Sequence, residues 1–168
     1  MKFLIGADPE VFLRDAAENL VASCGKIGGT KQVPMPLDLG DGFAVLEDNV
    51  ALEYNIPPSA SKEQFVNTIN RAMNYLSDMV GRQSLHFSKE SAASFPVWEL
   101  MHPAAREFGC DPDYSAWDNG ARNKPPKADD PNLRSCGGHI HVGYKFKSKE
   151  DVVKFIKYMD FFTIICVS

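Results

Sequence analysis

The alternation of apolar and polar residues along the chain predicts mainly short β-strands separated by glycine- and proline-containing turns. Strands are predicted in KFLIGADPEVFLRD, in GFAVLEDNVALEYNIPP (two short strands or one kinked strand), in QSLHFSKESAASF and in LRSCGGHIHVGYKF. Within the first of these, Pro9 has no backbone N–H to donate to a neighbouring strand. It therefore indicates an edge strand or a bulge.

Three segments have helical spacing instead. In SASKEQFVNTINRAMNYLSDMVGR, Ser61 and Gln64 form a capping box and Gly81 is placed to end the helix. Its apolar stripe, which we assign to the core, consists of Phe65, Ile69, Ala72, Leu76 and Met79. KEDVVKFIKYMDFF predicts a final amphipathic helix, and PVWELMHPAAREFG predicts a shorter helical piece broken at Pro103.

Composition narrows the class of protein. A length of 168 residues with 44% hydrophobic and 24% charged residues is typical of one globular domain that has its own core. The net charge of −4 gives no basic footprint for nucleic acid. Neither a signal peptide nor an apolar run long enough to cross a membrane is present, which predicts a cytoplasmic protein. The scattered cysteines predict neither a zinc knuckle nor a disulfide framework.

Two of the four histidines lie in SCGGHIHVGY. On a β-strand, His139 and His141 share one face, and Ile140 and Val142 are expected to turn into the core. Such a pair could bind a metal, bind an anion or share a proton. The alternative is two histidines on a solvated face.

Carboxylates occur with the same spacing. Asp8 and Glu10 lie two residues apart in GADPEVFL, and Glu53 lies between apolar neighbours in VALEYN. A pair of this kind is often simply solvated. Together with His139, however, these carboxylates would repel one another unless a cation lay among them. Oxygen ligands with one nitrogen favour Mg²⁺ or Mn²⁺ over a structural zinc.

These motifs also carry a resemblance. GADPEVFL, VALEYN and GGHIHVG resemble, in the same order, the acidic, glutamate and histidine strands of glutamine synthetases and glutamate–cysteine ligases. GKIGGTKQVPMP, EDNVALEYNIPPS, FGCDPDYSAW and LRSCGGHIHVGY resemble more narrowly the phage-type carboxylate–amine ligases, or amidoligases. The resemblance extends over about residues 1–160. It implies an α+β fold in which a curved, mainly antiparallel sheet is covered on its outer face by helix 61–80 and the last helix.

The resemblance further implies two metal ions, Mg²⁺ or Mn²⁺, and ATP. By carry-over, the ligands of one ion are Glu10 and Glu53, and those of the other are Asp8 and His139. A further acid is expected at the first ion, and the spacing leaves Glu47 and Asp48 open. Glu10, Glu53 and His139 are the implied catalytic residues.

His141 and Lys31 are the residues expected near the ATP phosphates. Lys31 could instead be a solvated loop lysine. The implied activity is amide or peptide-like bond formation between a carboxylate and an amine, each a small molecule or peptide, through an acyl phosphate. The oligomeric state is open.

A long polar loop follows in DPDYSAWDNGARNKPPKADDPN. Its length is typical of a lid, a binding loop or disorder. Trp117 and Tyr114 are expected to pack the loop down, the alternative being stacking on a base. Asp111 and Asp113 could orient the amine or form a turn around Pro112.

Members of the resembled group continue past the final helix into strands that supply arginines and a further glutamate. The expectation is therefore a single catalytic domain, residues 1–168, that lacks those strands. Two other functions stay open: an inactive metal-binding remnant or binding module of this fold, and a metal-dependent hydrolase that uses the same face.

Overall fold

A computed structural model describes residues 3–106, 112, 114–125 and 127–167, with side chains to residue 162. The chain forms two compact units. The first comprises Met1–Gly109 and Lys127–Gly143, and the second comprises Cys110–Pro126 and Tyr144–Ser168.

Ten strands and two α-helices make up the described chain. The strands are β1 Leu4–Val11, β2 Leu13–Asp15, β3 Leu20–Val21, β4 Met35–Pro36, β5 Ala44–Asp48, β6 Ala51–Ser59, β7 Leu85–Phe87, β8 Ala92–Ser94, β9 Leu133–Ser135 and β10 Gly138–Gly143. The helices are α1 Lys62–Gly81 and α2 Lys149–Val167. Val97–Leu100 and Ala104–Arg106 form short 3₁₀ helices.

The largest sheet has the strand order β10-β1-β6-β5-β4, and two smaller sheets have the orders β3-β2-β7 and β8-β9. Every strand pairing in the described residues is antiparallel. The predicted α+β class with mainly antiparallel sheets is therefore confirmed. The segment GFAVLEDNVALEYNIPP forms two strands, β5 and β6, rather than one kinked strand.

Strand β1 lies inside the sheet, so the edge position that Pro9 indicated is wrong. The register shift of β1 against β6 lies between Ile5 and Ala7, before the proline. Against β10, Pro9 is paired with Gly138, where a Cβ would lie 2.9 Å from the Pro9 Cα. The glycine therefore lets β10 approach the proline closely.

Helix α1 covers one face of the large sheet. Ser61 caps it, since its hydroxyl accepts a hydrogen bond from Gln64 N at 3.1 Å. The Gln64 side chain accepts from Ala60 N at 2.9 Å, which completes the predicted cap one residue earlier than the sequence suggested. Ala72 and Leu76 of the predicted stripe are fully buried in the main core. The helix ends at Gly81, its last residue, and Arg82 is the C-cap.

Two further expectations are wrong. QSLHFSKESAASF is not one strand but contains β7 and β8, which belong to different sheets. Ile140 is not in the core but 70% exposed. The reason is that β10 is the terminal strand of its sheet, whereas α1 packs on β6, two strands away.

In the second unit, Trp117 Nε1 donates to Asp160 Oδ2 of α2 at 2.8 Å. Lys157 Nζ lies 5.1 Å from the centre of the same indole ring. The predicted final helix is present, and it leaves large apolar side chains exposed, among them Tyr158, Phe161 and Phe162. Of the helices in the described part of the chain, neither is long and apolar enough to cross a membrane.

Candidate functional site

Three carboxylates converge on the face of the large sheet opposite α1. Glu10 of β1 lies directly across from Glu53 of β6, and Asp48 ends the neighbouring strand β5. One carboxylate oxygen from each of these residues lies within 4.8 Å of the others. We call these three residues the acidic trio. Two sequence-predicted ligands, Glu10 and Glu53, are thus brought together with Asp48.

The three carboxylates of the trio repel one another in the absence of a metal ion. Burial, together with the charges of Asp48, Asp8 and Glu10, raises the pKa of Glu53 to about 7. The ammonium group of Lys31 acts in the opposite direction. A divalent cation among these oxygens would remove the repulsion and favour the ionised carboxyl group.

The structure distinguishes Glu47 from Asp48. Only 7% of Asp48 is exposed, and its carboxylate belongs to the trio. Glu47 is engaged elsewhere: its carboxylate accepts hydrogen bonds from the four consecutive backbone amides of residues 25–28, at 2.7–3.0 Å. Burial, the largest single effect, raises the pKa of Glu47, but the four amides together hold it below its ordinary value. Glu47 therefore anchors a loop.

A second group forms beside the trio, on β1 and β10 of the same sheet. Asp8 lies opposite His139, and its Oδ1 accepts a hydrogen bond from His139 N at 3.0 Å. His139 Nδ1 lies 3.5 Å from Asp8 Oδ1, and His141 Nε2 lies 3.2 Å from Asp8 Oδ2. We call these three residues the Asp8 group. Both imidazoles share one strand face, as the spacing predicted, and both point to one carboxylate.

Lys31 lies at the trio. Its Nζ is 2.8 Å from Asp48 Oδ1, while 47% of the lysine side chain is exposed. The lysine is thus neither fully solvated nor far from the other predicted site residues.

The donor set fits a hard divalent cation. Glu10, Asp48 and Glu53 offer carboxylate oxygens at one point, and the Asp8 group adds another carboxylate with two imidazoles. Mg²⁺ and Mn²⁺ prefer such oxygen-rich surroundings, whereas a structural zinc site is typically closed by cysteine and histidine.

Sequence reasoning missed that two carboxylates, those of Glu99 and Glu47, hold the loop before Lys31. Glu99 accepts hydrogen bonds from Ala22 N at 2.8 Å and from Lys26 Nζ at 3.2 Å. Glu47 holds the next residues, as described above. The glycine-rich segment CGKIGG was the available signal, since a chain with several free amides needs an acceptor.

The remaining candidates belong to the second unit or lie outside the described residues. Tyr114 and Trp117 belong to the second unit, where Tyr114 pairs with Arg122. Trp117 contacts Asp160 and Lys157 of α2, but 61% of the residue is exposed. Asp111 and Asp113 lie outside the described residues.

No protein-family model, no curated protein and no solved structure matches this chain.

Proposed function

We propose that this chain is an ATP-dependent carboxylate–amine ligase of the amidoligase type, with a sheet like that of the glutamine synthetase catalytic domain, acting in the cytoplasm. One observation carries the proposal. Neighbouring strands of a single sheet bring the acidic trio and the Asp8 group together on one face. The order of these motifs along the chain agrees with the resemblance.

The carboxylates of this face would hold two metal ions. Glu10, Asp48 and Glu53 are placed to bind one, and Asp8 with His139 the other. When bound, Mg²⁺ or Mn²⁺ supplies charge neutralisation and alignment for the phosphates of ATP. His141 has a ring nitrogen beside the same carboxylate and would donate a hydrogen bond to a phosphate oxygen.

The reaction then has two steps. A substrate carboxylate oxygen attacks the γ-phosphorus of ATP, so that ADP leaves and an acyl phosphate forms. The amine nitrogen attacks the acyl carbon, inorganic phosphate leaves, and the amine loses a proton. The acyl phosphate makes amide formation favourable, because free carboxylate and amine do not condense spontaneously in water.

A substrate panel tests the proposal. The protein is incubated with Mg²⁺, ATP and combinations of small-molecule or peptide carboxylates and amines, and ADP and product mass are measured. We expect multiple turnovers of ATP to ADP only when both substrates are present. Glu10→Gln and Glu53→Gln should abolish turnover and tight Mn²⁺ binding. Glu63→Gln, on the exposed first turn of α1, is the matched control and should change neither.

Other outcomes would contradict the ligase. Continued turnover of ATP to ADP without the amine would indicate a metal-dependent hydrolase. Tight Mn²⁺ binding without turnover on any pair would favour an inactive metal-binding module. Equal Mn²⁺ affinity in Glu53→Gln and the parent would contradict the assignment of the metal site itself.

A further inference from the structure

We propose that Lys31 is a resident counter-ion of the acidic trio, and that a divalent cation displaces its ammonium group from Asp48. The inference rests on the metal site of the proposed function. It adds to that site an exchange of one cation for another, which would couple metal binding to a movement of the turn that carries Lys31.

Lys31 is in ionic contact with a buried carboxylate of the trio, that of Asp48. Asp48 is 7% exposed, and its Oδ1 lies 2.8 Å from Lys31 Nζ. Within the described residues, no group donates a hydrogen bond of normal geometry to that oxygen. A buried carboxylate of this kind needs a counter-charge, and the lysine supplies it.

The ammonium group of Lys31 and a metal ion bound by the trio would occupy neighbouring positions. The oxygens of the trio lie within 4.8 Å of one another, so a metal ion bound to all three would lie among them. Metal–oxygen distances for Mg²⁺ are roughly 2.1 Å. An ammonium group that contacts Asp48 would therefore stand within a few ångströms of a doubly charged ion, and the two would repel strongly in a partly buried site.

The loop that carries Lys31 is anchored up to Gly29 and exposed at its tip. Gly29 packs closely against β5, because a Cβ there would clash with Val45 O, and its φ of +78° favours glycine. The four amides of residues 25–28 are fixed on Glu47. Beyond Gly29, Thr30 and Val33 exchange backbone hydrogen bonds of 3.0 and 3.1 Å, so that Lys31 lies at the tip of a two-residue turn. Val33 is 72% exposed.

An anchored stem with an exposed tip allows the lysine to leave Asp48 while the rest of the loop stays in place. The freed ammonium group would then stand at the margin of the metal site, where it can meet an anionic ligand such as a phosphate. The alternative is a lysine that permanently supports the trio and helps the metal ion to bind.

These two roles predict opposite results for Lys31→Met. Removing the counter-ion should destabilise the metal-free protein and lower its Tm in EDTA by about 5 °C. The same change should tighten Mn²⁺ binding, measured by calorimetry, by roughly tenfold or more, because no ammonium group has to be displaced. A substitution that merely damaged the site would lower the stability of the metal-free protein and also weaken Mn²⁺ binding. Lys31→Gln, which keeps a polar side chain, should shift both quantities in the same directions.

Lys26→Met is the matched control. Lys26 lies in the same loop, but its ammonium group pairs with Glu99 at 3.2 Å, not with the trio. We expect the Mn²⁺ affinity of the Lys26→Met protein to differ from that of the parent by less than about threefold. A second readout is acetylation of lysine amines followed by mass spectrometry. Adding Mg²⁺ should raise the reactivity of Lys31 and leave that of Lys26 unchanged.

The outcomes are distinguishable. If the parent binds Mn²⁺ and both Lys31 variants bind it equally or more weakly, the exchange is wrong and the metal site stands. If neither the parent nor the variants bind Mn²⁺, the proposed metal site is wrong and the exchange with it.

Discussion

At the scale of single residues, Glu53 has the surroundings that most favour a protonated carboxyl group. It faces Glu10 across the β1–β6 ladder, and Asp48 and Asp8 add negative charge. Its pKa in the folded protein is raised from 4.5 to about 7. In the unfolded chain these neighbours disperse, so folding and protonation of Glu53 are linked.

This linkage predicts a pH dependence of stability in the metal-free protein. Between about pH 4.5 and 7 the folded state binds more protons than the unfolded state, so the stabilisation by protonated Glu53 is complete below pH 4.5 and lost as the pH rises through 7. Because Glu53 is only half buried, we expect a loss on the order of 1–2 kcal/mol rather than the full shift.

Urea unfolding in EDTA at several pH values measures this loss. Glu53→Gln should flatten the profile in this range. A parent profile that rises with pH over the same range, and does so equally in the variant, would contradict the assignment.

The two histidines give a second prediction at this scale. They contact different oxygens of Asp8, His139 at 3.5 Å and His141 at 3.2 Å. We expect His139→Ala to weaken Mn²⁺ binding roughly tenfold or more, and His141→Ala to weaken ATP binding by a similar factor with little change in Mn²⁺ affinity. Calorimetry with each ligand separates the effects. If both substitutions weaken Mn²⁺ equally and neither affects ATP, the pair chelates one ion jointly.

At the scale of elements, a single carboxylate holds four consecutive backbone amides of the loop before β4. Glu47 of β5 accepts four amide protons from residues 25–28, one of which belongs to the buried Ile27. Without that carboxylate, the exposed amides could turn to water, but the amide of the buried residue could not do so without opening the loop.

We therefore expect Glu47→Ala to destabilise the protein by roughly 2 kcal/mol. Denaturant unfolding measures the difference, with the exposed helical Asp78→Ala as a control that should remain within about 0.5 kcal/mol of the parent. A Glu47→Ala protein as stable as the parent would mean that water replaces the carboxylate at no cost.

The elements also differ in how well the sequence predicts them. Helix α1 was predictable because Ser61, Gln64 and the buried stripe are local signals that agree with one another. β7 and β8 were not, because the break between them depends on pairing with β2 and β9, which lie far away in the sequence. The exposure of Ile140 likewise depends on which strand ends the sheet, and no local pattern contains that information.

At the scale of the whole molecule, period-2 spacing predicted which residues share a strand face but not how the strands are ordered. Asp8 with Glu10, and His139 with His141, were assigned correctly to shared faces for that reason. The membership of Asp48 required the β5–β6 pairing, and the loop-anchoring role of Glu47 required the path of residues 25–28. The position of Lys31 required the path of the whole loop.

The strand order also bears on rates. The acidic trio is supplied by strands that have neighbours on both sides, whereas His139 and His141 belong to β10, the terminal strand of the sheet that the described residues form. Terminal strands fray more readily than interior ones, so the amides of β10 should exchange with deuterium sooner than those of β6. The trio would then be a preformed metal-binding site, and the Asp8 group would bind its metal ion more slowly. In rapid-mixing experiments, occupation of the face would follow two phases in a fixed order.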